Sequence, residues 1–511
     1  MNNIKGDIFG GITAAVIALP LALAFGVASG AGAIAGIYGA IILGFFASLF
    51  GGTPTQISGP TGPMTVVVAS AIVAFSGDMN AVMGVIFLTG IFQILFGIMK
   101  IGKYVKYIPY PVVSGFMSGI GLIIIILQVH PFLGHDGYGS VLDSLYNFPN
   151  TFNNVDMQAL TLSLCTLCIM FFTPKKISNV IPTALIALVS MTVISVYFNF
   201  TVATIGHIPT TLPDFKMPTY DVLQIKQIIT LSITLALLGT IDTLLTSLVA
   251  DSITKTKHNS SKELIGQGIG NACVSLVGGI AGAGATMRTV VNVKSGGKTK
   301  LSGIIHAISL LCIVLFLAPI ASEVPLAVLA GILMKVGVDI LDYKFLKIVN
   351  FAPKNDLAVM MAVFFLTVFV DLIVAVGVGI VLASMLIVYR ISIESKVKIQ
   401  FHKDSSENII NKHMRIINID GAFFFGSASI FEDKINNILD TKKIVVNCSN
   451  VPFIDISAIF ALEEMILKLQ DLDIEVVLVL KYRHLRKVER IDKLKVFEKI
   501  NIYTTLEEAL K

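Results

Sequence analysis

The chain has 511 residues, of which 55% are hydrophobic and only 14% are charged, and its formal net charge is +5. Its mean hydropathy is +0.83. Soluble globular domains rarely combine such values over this length, so the composition excludes a soluble protein and predicts an integral membrane protein. The positive residues cluster at the ends of apolar runs rather than on one basic surface, and we therefore expect no nucleic-acid partner.

Apolar runs of about 18 or more residues recur from Ile8 to about Arg390, and each is long enough to cross a hydrocarbon core of about 30 Å. After these runs, charged residues appear every few positions and no stretch could span a bilayer. We therefore predict a membrane domain over residues 1–395 and a soluble domain over residues 396–511. The N-terminus leads straight into a long span rather than a cleavable signal, so we expect the first span to be retained.

Lysine clusters between the apolar runs predict the orientation. They are Lys100, Lys103 and Lys106, then Lys175 and Lys176, then Lys255, Lys257 and Lys262, then Lys294, Lys298 and Lys300, and finally Lys344 and Lys347. Loops rich in lysine and arginine face the cytoplasm, and loops poor in them, such as "HPFLGHDGYGS", face outward. Alternation then gives about 14 segments with both termini in the cytoplasm, provided that two segments are short and broken.

Two apolar stretches are interrupted in a related way. Residues 58–67 read "SGPTGPMTVV" and residues 278–291 read "GGIAGAGATMRTVV". Aligning the shared Thr-Val-Val places Gly59 over Ala283, Thr61 over Ala285, Gly62 over Thr286 and Thr65 over Thr289. Interrupted helices in corresponding places of two halves indicate a transporter site built from inverted repeats. Small residues also allow close helix packing, an alternative that explains Gly278 and Gly279 but not the prolines of the first copy.

The physics of a broken helix favours an anion at these places. A helix that begins within the membrane leaves its first N–H groups without partners, and its dipole places about half a positive charge there. Irregular backbone at that depth is tolerated where it lines a cavity or is buried in protein. Helices that begin near Thr61 and Ala285 would together attract one small anion. The hydroxyl groups of Thr61 and Thr286 add hydrogen-bond donors.

One ionisable residue, Asp242, lies within an apolar helix, and Thr246 follows it one turn later on the same face. Because a carboxylate in the membrane interior is costly, we interpret Asp242 as functional. The alternative is a carboxylate that neighbouring hydroxyl groups satisfy. We expect Asp251, beside lysines, to be a solvated helix end. Arg288 follows Thr286 by two positions and so lies on a different helix face, and we expect no direct contact with the anion.

Three membrane stretches, "GTPTQISGPTGPMTVV", "IDTLLTSLVADSITKTKHNSSKELIGQGIGN" and "GGIAGAGATMRTVVNVKSGG", together with "VNCSNVPFIDISAIFALEEM" near the C-terminus, carry a family resemblance. Over essentially its whole length the chain resembles the SulP family of anion transporters, and within it the cyanobacterial sodium-dependent bicarbonate transporters. The resemblance implies an α-helical polytopic membrane protein of 14 segments, arranged as 7+7 inverted repeats in core and gate domains. A cytoplasmic α/β STAS domain follows, and the family often forms dimers.

The resemblance also implies a site. The anion, bicarbonate, would be held by Thr61, Ala285 and Thr286, with Pro60 and Gly62 on the first half-helix. Sodium, the coupling ion, would be held by Asp242, Thr246, Gly284 and Thr286. Many members carry glutamate at the position of Asp242. The shorter aspartate suits a compact cage of oxygen ligands for a small cation, although oxygen ligands alone do not separate sodium coupling from proton coupling.

These inferences predict a secondary active anion transporter in the bacterial plasma membrane, most simply a sodium-coupled bicarbonate symporter that works by alternating access. Two alternatives stay open: a proton-coupled permease for sulfate or another oxyanion, and a membrane-anchored STAS signalling protein. We expect no enzyme activity, because no nucleophile with a base is evident and "GAGATMR" lacks the glycine-lysine pair of a phosphate-binding loop.

The C-terminal region alternates predicted strands ("MRIINIDGAFFFG", "KIVVNC", "EVVLVLK") with predicted helices ("SIFEDKINNILD", "SAIFALEEMILKLQ"), a pattern typical of a small α/β domain. In related signalling domains a phosphorylatable hydroxyl follows the loop aspartate. Here Ile456 follows Asp455, so the sequence gives no support for phosphorylation. We expect a structural cap that contributes to a homodimer.

Overall fold

The computed structural model describes residues 3–178, 181–206, 215, 217, 218, 223–370, 372–403, 410–428, 441–491 and 495–510. The chain forms two compact units, Met1–Ile380 and Val381–Lys511. Among the described residues, the first unit is mostly helical and contains a two-stranded ribbon, and the second is built on a five-stranded sheet.

The membrane part contains a long series of apolar helices. Their bounds are α1 Ile4–Ala28, α2 Ala33–Phe50, α3 Gly62–Ala74, α4 Met79–Ile98, α5 Tyr110–Phe132, α6 Val141–Asn153, α7 Met157–Phe172, α8 Lys175–Ser178, α9 Thr183–Tyr197, α10 Ile225–Thr254, α11 Ser260–Ser275, α12 Thr286–Lys294, α13 Lys300–Ala321, α14 Leu326–Ile340, α15 Tyr343–Ile348, α16 Lys354–Phe369 and α17 Leu372–Glu394. The ribbon consists of β1 Ser58–Gly59 and β2 Ala283–Gly284.

Within the described residues, six helices are individually long and apolar enough to cross a bilayer: α1, α2, α4, α5, α10 and residues 374–394 of α17. The bent pair α6 and α7 would make a seventh span if it crosses as one. The prediction of 14 segments also counts shorter pieces, of which α3 and α12 are the two broken ones. Their shortness has a cause, because each begins after an extended stretch rather than at a membrane surface.

Glycines set the closest helix contacts. A Cβ atom on Gly36 of α2 would lie 1.9 Å from the carbonyl oxygen of Ala22 in α1. Between α4 and α11 the relation is reciprocal, since a Cβ on Gly90 would lie 2.4 Å from the Gly268 oxygen and a Cβ on Gly268 would lie 2.5 Å from the Gly90 oxygen. In a bilayer, where water does not drive helices together, such close backbone approach supplies much of the packing energy.

The second unit contains a sheet in the order β3-β4-β5-β6-β7. Its elements are β3 Lys396–Lys403, β4 Ile410–Asp420, β5 Lys443–Asn447, α18 Ile456–Gln470, β6 Glu475–Val479, α19 Tyr482–Ile491, β7 Asn501–Tyr503 and α20 Leu506–Ala509. Only β3 is antiparallel to its neighbour, and the other described strands pair in parallel.

The three predicted strands of this unit are present. The first ends earlier than expected, at Asp420, because the chain turns at Gly421 with φ +100. The predicted helix "SIFEDKINNILD" lies outside the described residues, and the predicted helix "SAIFALEEMILKLQ" is α18. Asp455 caps α18 by accepting a hydrogen bond from the Ala458 amide at 2.8 Å. This capping gives Asp455 a structural role.

Candidate ion-binding site between two half-helices

The two broken segments meet in the ribbon of β1 and β2. The strands are antiparallel, with Ser58 opposite Gly284 and Gly59 opposite Ala283. The Ala285 amide extends the ribbon by donating to the Ile57 carbonyl oxygen at 2.8 Å. The pairing of Gly59 with Ala283 joins the same two positions that the sequence alignment superposed.

A half-helix begins after each strand. Thr61 is the N-cap of α3 and Ala285 is the N-cap of α12, both with extended backbone, and neither helix has a side-chain cap at its N-terminus. The first turn of a helix has N–H groups without intrahelical partners. Pro63, in the first turn of α3, removes one of these donors. Both helix starts therefore present backbone donors and positive dipole ends.

Helix α10 touches both half-helices. The Thr246 hydroxyl donates to the Gly284 carbonyl oxygen at 2.9 Å and lies 2.7 Å from the Thr286 hydroxyl. One turn earlier, the partly buried Asp242 carboxyl group lies beside the Thr61 side chain. No hydrogen bond of normal geometry joins the Thr61 hydroxyl or Asp242 Oδ2 to any group in the described chain.

Three of the four predicted sodium ligands are thus joined by hydrogen bonds through Thr246, which contacts both Gly284 and Thr286. The fourth, Asp242, lies on α10 one turn before Thr246, and its Oδ2 atom makes no hydrogen bond of normal geometry to the described residues. A hydroxyl, a carbonyl and a carboxylate together form an oxygen donor set that suits a hard cation. Within the described chain, no three histidine, cysteine, aspartate or glutamate side chains form a metal-binding group.

The predicted anion residues lie around the start of each half-helix. Thr61 and Ala285 are buried caps, and Thr286 begins α12. Gly62 begins α3 in a tight place, because an added Cβ would lie 2.9 Å from Ile124 Cδ1. Pro60 differs from the others, since its carbonyl oxygen already accepts a hydrogen bond, from Arg288 Nη2 at 2.9 Å.

Arg288 is almost completely buried, at 1% exposure. Its hydrogen bond to Pro60 ties α12 to the first broken segment, while its Nε and Nη1 atoms have no partner among the described residues. The Arg288 guanidinium therefore places a buried positive charge next to Pro60, at the end of β1. From the sequence we expected Arg288 to make no direct contact with the anion, and this bond between the two repeats was not predicted.

Glu263 of α11 supports the site but was not among the residues predicted from the sequence. This buried carboxylate of α11 accepts four hydrogen bonds. Its donors are the Gly52 and Thr53 amides, each at 2.8 Å, and the side-chain amides of Gln56 and Gln267, each at 2.9 Å. Glu263 thereby holds the chain that leads into β1. A signal was available, because Glu263, Gln267 and Asn271 are spaced four residues apart and so form one polar stripe on an otherwise apolar helix.

Asn271, the last residue of that stripe, holds the second segment. It accepts a hydrogen bond from the Gly282 amide and donates one to the Gly282 carbonyl oxygen, both at 3.0 Å. Helix α11 thus positions both strands of the ribbon from one face.

A helical membrane protein in which two half-helices begin at a shared ribbon has the architecture of a secondary transporter. The model of the sulfate permease family matches residues 4–363, and the STAS domain model matches residues 405–509. The chain therefore belongs to the sulfate permease family and carries a STAS domain. The family resemblance predicted from the sequence, the helical membrane fold and the assignment as a transporter rather than an enzyme are confirmed.

Named relatives agree with this assignment. The bicarbonate transporter BicA of Picosynechococcus sp. is 45% identical over 540 residues, which cover 100% of this chain and 95% of that protein. The solved transmembrane domain of a cyanobacterial bicarbonate transporter BicA is 52% identical, with a TM-score of 0.69, and covers 74% of this chain and 98% of its own. The murine Solute Carrier 26 family member A9 anion transporter shares the fold at 17% identity, with a TM-score of 0.86, over 100% of this chain and 91% of its own.

Proposed function

We propose that the chain is a sodium-coupled bicarbonate symporter that works by alternating access. In this proposal it lies in the bacterial plasma membrane with both termini in the cytoplasm. The substrate is suggested by the full-length similarity to relatives named bicarbonate transporters. The mechanism rests on one observation above all: α10 contacts both half-helix starts, through Asp242 beside Thr61 and Thr246 at Thr286.

The anion would lie between the starts of α3 and α12. The first-turn amides there, which have no intrahelical partners, and the Thr61 hydroxyl, which makes no hydrogen bond of normal geometry in the described chain, offer hydrogen bonds to an oxyanion. Two helix dipoles supply roughly one positive charge between them. Such donors are fixed before the anion arrives, so binding requires little rearrangement.

Sodium would be held by Asp242, Thr246, Gly284 and Thr286. A bound cation neutralises Asp242, and so removes the repulsion that a nearby anion meets from a carboxylate in a medium of low dielectric constant. Each ion should therefore tighten the binding of the other by the same factor. This mutual dependence is the physical basis of symport.

The charge at the site favours a monoanion over sulfate. About one positive unit from the two helix ends, plus sodium and minus Asp242, leaves about +1. One observation favours the alternative of a proton-coupled sulfate or other oxyanion permease. The buried guanidinium of Arg288 has two nitrogen atoms without partners in the described chain and adds a further positive charge. Uptake of both anions by the same proteoliposomes separates the alternatives.

The decisive experiment compares Asp242→Asn with Asp251→Asn in proteoliposomes. Asp251 is a matched control because it also lies on α10, where it contacts His258 at 2.7 Å instead of the site. Labelled bicarbonate uptake should rise with external sodium in the parent and in Asp251→Asn. In Asp242→Asn we expect uptake without sodium stimulation. Equal stimulation in Asp242→Asn would place the cation elsewhere, and greater uptake of sulfate than of bicarbonate by the parent would reverse the choice of anion.

The domain organisation belongs to the same proposal. We retain a transmembrane transport domain over residues 1–395 and a cytoplasmic STAS domain over residues 396–511, and β3 begins at Lys396. We also propose a homodimer to which the STAS domain contributes. Mass photometry of the full chain and of a chain that ends at Ser395 tests both points, because the shorter chain should stay inserted and bind the anion but dimerise more weakly.

A further inference from the structure

A cavity whose lining contains none of the proposed ion ligands opens between α10, α17 and the two 3₁₀ turns that follow α4, Ile101–Lys103 and Val105–Tyr107. Its volume is about 370 Å³. The lining includes Ile101, Tyr104 and Ile108 from the turn region, Leu238 and Ile241 from α10, and Gly377 from α17. No charged residue lines it, and Asp242 is outside it.

The rim of this cavity has the composition of a membrane interface. Tyr104 and Tyr107 are exposed there, at 66% and 69%. Lys100 and Lys103 are also exposed, adjoin the lining residues Ile101 and Tyr104 in the chain, and form no ion pair within the described chain. Tyrosine and lysine concentrate where hydrocarbon meets headgroups, with the apolar part of each side chain buried and its polar end in the headgroup layer.

We propose that this cavity binds an acyl chain of an anionic phospholipid, whose headgroup is held by Lys100 and Lys103. The lining is mostly apolar, with the hydroxyl groups of Thr234 and Thr240 besides the tyrosines, and so suits a hydrocarbon chain. The two lysines, which adjoin the lining residues Ile101 and Tyr104 in the chain, select a negative headgroup, as basic pockets between membrane helices do. Ile241 immediately precedes Asp242, so the lipid would lie within one helical turn of the proposed sodium ligand.

Gly377 provides a way to fill the cavity without disturbing the helices. A Cβ atom at this position meets nothing within 4 Å, which is unusual among the glycines of the membrane helices. Gly377→Phe would therefore place its ring in the cavity and exclude the acyl chain. Gly377→Ala is the matched control, because it adds only the Cβ atom and leaves the space open.

The chain contains no tryptophan, so Tyr104→Trp introduces a single fluorophore in the cavity lining. The full chain is reconstituted in nanodiscs that contain a small, equal fraction of either brominated phosphatidylglycerol or brominated phosphatidylcholine, since bromine on the acyl chain quenches tryptophan. Two lysines near an anionic headgroup predict a preference of roughly thirtyfold for the anionic lipid. The preference should fall as salt screens the charges.

Two further variants on the Tyr104→Trp background test each half of the proposal. Lys100→Gln with Lys103→Gln should abolish the preference, whereas Lys347→Gln, an exposed lysine elsewhere, should keep it. Gly377→Phe should reduce quenching by both lipids, and Gly377→Ala should not. Equal quenching by the two lipids in the parent, or quenching that Gly377→Phe leaves unchanged, would overturn the proposal.

Discussion

The first broken segment, residues 51–74, and the second, residues 278–294, reach matching backbone geometry with different side chains. The first contains prolines and is held by the Glu263 carboxylate, which accepts from its backbone and from Gln56. The second contains glycine and alanine and is held by neutral groups. Thr243 accepts from the Gly284 amide at 3.1 Å, and Asn271 pairs with both backbone groups of Gly282.

The difference indicates that the two repeats have different roles in the proposed site. A carboxylate that accepts four hydrogen bonds fixes the first segment tightly, and Thr61 on that segment keeps a hydroxyl without a partner in the described chain. In the second segment the Thr286 hydroxyl already contacts Thr246. The first segment therefore keeps a hydroxyl donor available for the proposed anion, whereas the second shares its groups with the proposed cation site.

The largest effect is expected from Glu263→Ala. The substitution leaves four buried donors without an acceptor, and breaking such a network costs about 3–5 kcal/mol. The purified protein should unfold at a markedly lower temperature and lose anion uptake. Glu263→Gln, which keeps one acceptor oxygen, should be intermediate, and Glu323→Ala, at an exposed position, should behave as the parent. A parent-like melting temperature in Glu263→Ala would show that the first segment is held in another way.

The next largest effect is expected where the backbones near β1 and β2 approach most closely. A Cβ on Gly282 would lie 2.3 Å from the Gly59 carbonyl oxygen, and backbone cannot move aside cheaply. A Cβ on Gly59 would instead meet Arg288 Nη1 at 2.4 Å, the end of a flexible side chain. Gly282→Ala should therefore destabilise the protein by about 1–3 kcal/mol, and Gly59→Ala by less. Thermal unfolding of the two variants in the same detergent measures this order, and the reverse order would contradict the described ribbon.

The smallest effect is a difference in stability between the variants Thr286→Val and Thr61→Val. Thr286→Val loses the contact with Thr246 and should cost about 1 kcal/mol of stability. Thr61→Val removes a buried hydroxyl that lies beside the Asp242 carboxyl group without a hydrogen bond of normal geometry, so its stability should be close to that of the parent. Both variants should take up the anion with lower affinity. If Thr61→Val is the less stable of the two, Thr61 has a structural partner and the contrast between the segments fails.

Much of the arrangement of the two broken segments can be predicted from the sequence. Glycine and proline in an apolar stretch predict a break, and the repeated Thr-Val-Val sets the alignment that the pairing of Gly59 with Ala283 reproduces. The position of Asp242 one turn before Thr246 follows from helix geometry alone. These features depend on neighbours within a few residues or on internal similarity, which a single sequence contains.

The bonds that hold the site were not predicted, because they join residues far apart in the chain. Glu263 reaches Gly52 across 211 residues, and Arg288 reaches Pro60 across 228. Periodicity can place Glu263 on a polar stripe but cannot say which loop that stripe faces. The cavity beside α10 was missed for a related reason, since its lining comes from three separate parts of the chain.

The pairing of Ser58 with Gly284 also has a consequence for biogenesis. The partner strand is made 226 residues later, which at ribosomal rates of about 5–20 residues per second means a delay of roughly 10–45 s. During that time the backbone N–H and C=O groups of β1 have no partner strand, and they cannot be exposed to the hydrocarbon core of the bilayer. The first repeat must therefore be inserted with β1 shielded from lipid, and the candidate ion site can form only after the second repeat has been made.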